Sequence, residues 1–66
     1  MTAWMWRLLY QDDYCITRAG TRKTSVSAGP AEEEYMLERL FLDQSGWTRV
    51  AFSLTEQEYR ALAFPT

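Results

Sequence analysis

Residues 30–46 read PAEEEYMLERLFLDQSG and carry the strongest secondary-structure signals in the chain. Pro30 suits the first position of a helix, where its missing N–H would have no partner anyway. Three glutamates follow, and the positive end of a helix dipole favours them there. Gly46 fits the left-handed residue just past a helix end. These signals predict a main helix over residues 30–44.

On a helical projection this segment has two apolar stripes on nearly opposite sides. The wider stripe contains Met36, Leu37, Leu40 and Phe41, and the narrower one contains Ala31, Tyr35 and Leu42. An acidic edge between them is formed by Glu34 and Glu38, and the far flank carries Glu32, Arg39 and Asp43. A helix on a small domain normally needs one stripe. The second stripe therefore either packs under the chain termini or is kept for a partner.

The chain has 66 residues, which is the size of one domain. A domain of this length buries only about 60% of its unfolded surface. Three Trp, four Tyr and three Phe compensate, because each ring can bury a large apolar area. We expect a real but small core, without room to surround a ligand pocket of about 300 Å³ or more.

Charge and cysteine content limit the functional classes. The formal net charge is −2, with basic residues concentrated before residue 30 and acidic residues after it, which argues against a general nucleic-acid-binding protein. A single cysteine, Cys15, excludes an internal disulfide and favours a reducing, cytoplasmic setting. The apolar N-terminus is interrupted by Arg7 and indicates neither a signal peptide nor a membrane anchor.

Before the predicted helix, residues 3–10 (AWMWRLLY) favour a strand, with a short helix as the alternative. Residues 14–18 (YCITR) are also typical of a strand. Ala19 and Gly20 predict a hairpin turn. Residues 21–27 then either return as a third strand, with a basic tip at the turn, or belong to a loop over residues 19–29.

After the predicted helix, residues 47–54 (WTRVAFSL) alternate clearly and predict a strand. The following Thr55 and Glu58 have the spacing of a capping box, which predicts a short helix over residues 55–64. The order is β-β-(β)-α-β-α. It predicts a single α+β domain over residues 1–66: a small antiparallel sheet of three or four strands, the main helix packed across it, and a short C-terminal helix.

The sequence lacks the residues that several kinds of catalytic, metal and phosphate-binding sites require. There is no histidine, so Ser-His and Cys-His nucleophile pairs are excluded, and a structural zinc site has too few ligands. No phosphate-binding glycine motif is present. Asp12 and Asp13 are interpreted as turn formers rather than metal ligands, and Cys15 as a half-buried strand residue. We therefore expect no enzymatic activity, no cofactor and no metal.

The first functional hypothesis is a non-enzymatic protein-binding module. Its contact surface would be the acidic edge and second stripe of the predicted helix: Glu32, Glu34, Tyr35, Glu38, Leu42 and Asp43. Carboxylates in such an array imitate phosphate spacing, and complementary charge speeds the encounter with a basic partner. A concrete version is a small acidic inhibitor or adaptor that blocks a nucleic-acid-handling protein. Phages and other mobile elements use proteins of this type against host defence nucleases, which is an analogy of type alone.

Two alternatives belong to other classes. A nucleic-acid-contacting module would use the basic hairpin residues Arg18, Arg22 and Lys23, although three cations give weak and salt-sensitive affinity. A structural homodimer subunit would pair through the exposed apolar stripe of the predicted helix, which contains Tyr35 and Leu42. Exposed tryptophans such as Trp4 or Trp47 would favour docking of either kind, because Trp and Tyr often dominate interface energy.

Overall fold

The computed structural model describes residues 3–25 and 28–65, and within them the chain forms a four-stranded antiparallel sheet followed by one helix. The strands are β1 (Met5–Gln11), β2 (Cys15–Thr24), β3 (Glu32–Asp43) and β4 (Gly46–Leu54). The helix is α1 (Glu56–Ala63). The spatial order of the strands, β1-β2-β3-β4, is their order along the chain.

The predicted main helix is wrong, because residues 32–43 form the longest strand of the sheet. The apolar residues of this segment form two short runs, residues 35–37 and 40–42, and a strand divides each run between its two faces, so that a strand can use them as well as a helix. The basic residues of β2 decide between the two, since the register places Arg18 opposite Glu38, Arg22 opposite Glu34 and Lys23 opposite Glu33. Opposite charges in directly facing positions stabilise a sheet. The α+β prediction is corrected to a nearly all-sheet domain with a single short helix.

Gly46 is the first residue of β4, directly after the turn from β3, rather than the residue past a helix end. It pairs with Asp43 across a two-residue connection and has a φ of +112°, a conformation that glycine adopts without strain. Gly46 therefore has the positive φ expected from the sequence, but it has it in a hairpin rather than past a helix end.

The predicted hairpin at Ala19 and Gly20 is also wrong, because β2 runs through both residues without interruption. Gly20 lies beneath the indole of Trp6, where an added Cβ would be 2.7 Å from the ring atom Cε3. Glycine here permits close approach of an aromatic ring. The predicted third strand over residues 21–27 lies within β2 as far as Thr24, and residues 26 and 27 are outside the described residues.

The two faces of the sheet differ in composition. Arg18 and Glu38 lie on one face, and alternation places Trp6, Gly20, Arg22 and Arg49 there as well. We call this the tryptophan face. The opposite face carries α1, as shown by Tyr59 against Tyr35 (ring centroids 5.0 Å apart) and by the Arg7 guanidinium 4.7 Å from the Phe64 ring centroid. We call it the helix face.

A bulge in β1 divides the aromatic residues of this strand between the two faces. Leu8 pairs with Arg18, but Tyr10 pairs with Thr17, so that the alternation slips by one residue. Tyr10 consequently lies on the helix face, whereas Trp6 and Leu8 lie on the tryptophan face. Uninterrupted alternation along residues 3–10 would have placed all three on one face.

The C-terminal helix begins with the predicted capping box. Thr55 Oγ1 accepts from the N–H of Glu58 at 3.1 Å, and the Glu58 carboxylate accepts from the N–H of Thr55 at 2.9 Å. The helix covers only part of its face. Ala63 is buried, while Leu62 is 45% exposed.

Few apolar side chains are buried in the described part of the chain. They are Cys15, Ala19 and Ala63. Ten larger apolar or aromatic side chains remain exposed: Met5, Leu8, Tyr10, Tyr14, Leu42, Trp47, Val50, Phe52, Leu62 and Phe64. The only described helix, α1, is too short to cross a membrane. An open sheet with this much apolar surface is the setting of the candidate site.

Candidate functional site

All three tryptophans lie on the tryptophan face. Trp4 and Trp6 stack with ring centroids 5.6 Å apart at one edge of the sheet. Trp47 lies at the other edge, where it pairs with Leu42 and is half exposed. Alternation along β1 and β4 therefore gathers the largest aromatic rings on the face that α1 does not cover.

Arg18 links Trp6 to the centre of the sheet. Its guanidinium lies 4.4 Å from the Trp6 ring centroid, within the range of a cation–π contact. Its Nε and Nη2 donate to Glu38 Oε1 at 2.9 and 2.6 Å. The aromatic ring holds the planar guanidinium in position, and the carboxylate receives its hydrogen bonds.

Trp6, Arg18 and Glu38 thus form a row across the sheet. Arg49, on β4, extends this row, since its Nε donates to the other carboxylate oxygen of Glu38. The Glu38 side chain is only 2% exposed, although α1 lies on the opposite face, because two arginine side chains shield it. Burial raises the pKa of the Glu38 carboxyl, and the hydrogen bonds from Arg49 and Arg18 lower it by more, so that it lies below its ordinary value. A single carboxylate thereby links three strands.

A second, more exposed row runs parallel to the first. The Arg22 guanidinium lies 4.5 Å from the Trp4 ring centroid, and its Nε donates to Glu34 Oε2 at 2.8 Å. Thr24 Oγ1 is 3.4 Å from the same oxygen. The repeated Trp–Arg–Glu order shows that the arginines of this face are engaged within the protein.

The six residues predicted as one partner-binding edge are divided by the strand geometry. Alternation places four of them on the tryptophan face, namely Glu32, Glu34, Glu38 and Leu42. Tyr35 is on the helix face against Tyr59. Asp43, also on the helix-face side of β3, accepts hydrogen bonds from Ser45 N–H (2.8 Å) and Thr48 Oγ1 (2.9 Å). A contiguous acidic edge is therefore absent among these residues, and Glu38 in particular is enclosed rather than presented to solvent.

The predicted basic tip is not a tip, because Arg18, Arg22 and Lys23 lie within β2. Arg18 and Arg22 are ion-paired on the tryptophan face. Lys23 is exposed on the helix face and faces Glu33 in the register. The three cations are therefore divided between the two faces of the sheet.

Arg49 is the member of the site that sequence reasoning missed. The alternation in residues 47–54 had already put it on the same side as Trp47. Its role as the second partner of Glu38 depends on the register between β3 and β4, and this register is not visible in either segment alone.

Asp12 has a structural role in the turn between β1 and β2. Its Oδ1 accepts from the N–H groups of Tyr14 and Cys15, both at 2.7 Å, and Oδ2 accepts from the Tyr10 hydroxyl at 3.0 Å. These bonds, led by the one from Tyr14, lower the pKa of Asp12. The prediction that Asp12 is a turn former is confirmed.

Other surfaces offer less for chemistry. An open cleft of about 440 Å³ between α1 and the sheet is lined by Thr21, Glu33, Tyr35, Tyr59, Arg60 and Phe64. Within residues 3–25 and 28–65, no three Cys, Asp or Glu side chains come together as metal ligands.

No protein-family model, curated protein or solved structure matches the chain.

Acidification is expected to lower the free energy of unfolding. Accepted hydrogen bonds hold the pKa values of Asp12, Asp43 and Glu58 below their ordinary values, and Glu38 is lowered as described above. Since the unfolded state then binds protons first, this stabilisation is complete above an unfolded pKa of about 4 and is lost as the pH falls through the folded values.

Urea unfolding at a series of acidic pH values measures this dependence. The Glu38→Gln variant should show a shallower decline than the wild type, because it has one shifted carboxyl fewer. A stability that does not change between neutral pH and pH of about 3 would contradict the expectation.

Proposed function

We propose that this chain is a non-enzymatic protein-binding module and that the tryptophan face is its contact surface. The observation that carries the proposal is the gathering of Trp4, Trp6 and Trp47 with three arginines on the face opposite α1. Trp and Arg are enriched among the residues that dominate binding energy at protein interfaces. The stacked indoles are already ordered, so that binding them costs little conformational entropy.

The charge state of this face favours a protein over a nucleic acid. Arg18 and Arg49 are bonded to Glu38, and Arg22 is bonded to Glu34, so that positive and negative groups nearly balance. Phosphate binding draws its affinity from cations that release counterions. Arginines that are held by carboxylates contribute less to such binding.

The partner expected from this surface is a folded protein with an apolar patch. Trp47 (50% exposed) and Leu42 (40% exposed) supply the apolar contact at one edge, and Leu8 (58% exposed) supplies it at the other. The narrower proposal, an inhibitor or adaptor that blocks a basic partner, now depends on the exposed carboxylates beside the face, such as Glu32 and Glu34. Charge reversal at Glu32 tests this narrower form separately.

A matched pair of variants tests the proposal. Trp47 and Leu62 are similarly exposed, but Trp47 is on the tryptophan face and Leu62 is on α1. Proteins captured from lysate by the immobilised wild type would be identified by mass spectrometry, and affinity for the purified partner would be measured by calorimetry. Trp47→Ala is expected to weaken binding by about 2 kcal/mol or more, and Leu62→Ala by less than about 1 kcal/mol.

The reverse order of these effects would place the contact on α1 and contradict the proposal. Failure to capture any protein above background, together with salt-sensitive binding of a single-stranded oligonucleotide that Arg22→Ala abolishes, would favour the nucleic-acid alternative. Circular dichroism of both variants shows whether a loss of binding reflects a loss of folding.

A further inference from the structure

We infer that β4 is a self-pairing edge through which two copies of this chain form one continuous eight-stranded sheet. β1 and β4 are the outer strands of the sheet. β1 carries a bulge between Leu8 and Tyr10, and bulges disfavour pairing at an edge. β4 pairs with β3 in unbroken register from Gly46 to Leu54, and its sequence GWTRVAFSL has no proline and one charge. This edge lacks the usual protection against pairing.

The hydrogen bonds of the sheet show which backbone groups of β4 are free to pair. The N–H of Leu42 donates to the carbonyl of Tyr14 at 2.8 Å, so that even-numbered residues of β3 bond towards β2. Because backbone groups alternate in direction along a strand, odd-numbered residues of β3 bond towards β4, and their β4 partners are even-numbered. The N–H and C=O groups of Trp47, Arg49, Ala51 and Ser53 therefore point to the open edge.

A second copy fits this edge in charge and in shape. An antiparallel pairing about a two-fold axis beside Ala51 places Arg49 opposite Ser53 of the other copy, so that the two arginines do not meet. It also places Val50 opposite Phe52, which are 37% and 51% exposed in the single chain. Apolar pairs facing each other across strands stabilise a sheet.

The scarcity of buried apolar side chains supports the same conclusion. Only Cys15, Ala19 and Ala63 are buried apolar residues in the described part of the chain, and small domains with a limited core often depend on association. Self-pairing uses the outward backbone groups of β4, whereas the tryptophan face binds through side chains, so that Ala51→Pro and Trp47→Ala test the two proposals separately.

Light scattering behind size exclusion, over a wide range of protein concentrations, measures the assembly state. We expect a concentration-dependent dimer. Ala51→Pro removes an outward N–H and leaves the bonds between β3 and β4 intact, since proline is tolerated at the open side of an edge strand. It should raise the dimer dissociation constant at least about tenfold.

A matched pair of charge variants distinguishes the two edges. Val50 and Met5 are exposed side chains on the helix face of opposite outer strands. Val50→Lys is expected to weaken the dimer, and Met5→Lys is expected to leave it unchanged. A larger effect of Met5→Lys would overturn the assignment to β4.

Amide hydrogen exchange of the wild type gives a test that needs no variant. At dimer-forming concentration the N–H groups of Arg49, Ala51 and Ser53 should exchange slowly, and on dilution they should become fast while those of Val50 and Phe52 stay protected. A monomer at every concentration, or a dimer in which the outward amides exchange rapidly, overturns the proposal. Protection that appears only when another protein is added would indicate that the edge takes a strand from that partner instead.

Discussion

Replacing Glu38 by alanine is expected to lower the free energy of unfolding by about 2–3 kcal/mol. The carboxylate is nearly inaccessible and receives hydrogen bonds from Arg18 and Arg49. Its removal leaves two guanidinium groups close together without a counter-charge. The expected loss is below that of a fully buried pair, about 3–5 kcal/mol, because Arg18 is 35% and Arg49 59% exposed and water can solvate them.

Glu34 provides the matched control for this prediction. It also accepts from an arginine stacked on a tryptophan, but its side chain is 46% exposed. Glu34→Ala is therefore expected to cost less than about 1 kcal/mol. Urea unfolding at neutral pH measures both variants. Equal losses would show that the Glu38 cluster has no special part in stability.

The second large effect is expected for Gly20→Ala, at about 1–3 kcal/mol of destabilisation. The new methyl group would be 2.7 Å from Trp6 Cε3 and 2.9 Å from Cζ3. The indole must then rise from the sheet, which disturbs its contacts with Trp4 and Arg18. Thermal unfolding gives the loss of stability, and the tryptophan emission spectrum reports the movement of the ring.

Gly29→Ala is the control, because an added Cβ there has no heavy atom within 4 Å. Its effect should stay within about 0.5 kcal/mol. A double variant, Gly20→Ala with Trp6→Ala, tests the cause directly. If the clash with the indole is responsible, the glycine substitution should cost much less when the ring is absent. A cost that persists without the ring would assign it to the backbone of β2.

Local patterns were sufficient for β4, for the capping box of α1 and for the turn at Asp12, because each depends on neighbours within a few residues. They were misleading for β3. Pro30, the glutamate run and Gly46 favour a helix locally, whereas the short apolar runs at residues 35–37 and 40–42 fit a strand as well as a helix. The decision between them depends on charges that lie on β2, far away in the sequence. Tertiary pairing of this kind overrides local propensity.

The candidate site was predictable only in its components. Tryptophans and acidic residues were recognised as surface features, but their combination depends on strand register. Because side chains alternate between faces, one wrong element moved Tyr35 and Asp43 onto the same surface as Glu34, and the fold separates them. The β1 bulge changes the face of Tyr10 in the same way. Neither a bulge nor a register is encoded within a single short window of residues.

The order of strands has a consequence for the folding pathway. Every pair of adjacent strands is joined directly along the chain, so that the sheet can grow by adding one hairpin at a time. We expect the hairpin of β3 and β4 to form early, because its two-residue connection closes the shortest loop. Glu38 and Arg49 already meet in that hairpin. When β2 docks, it adds Arg18 to this pair, so that the Glu38 carboxylate stabilises the correctly placed third strand.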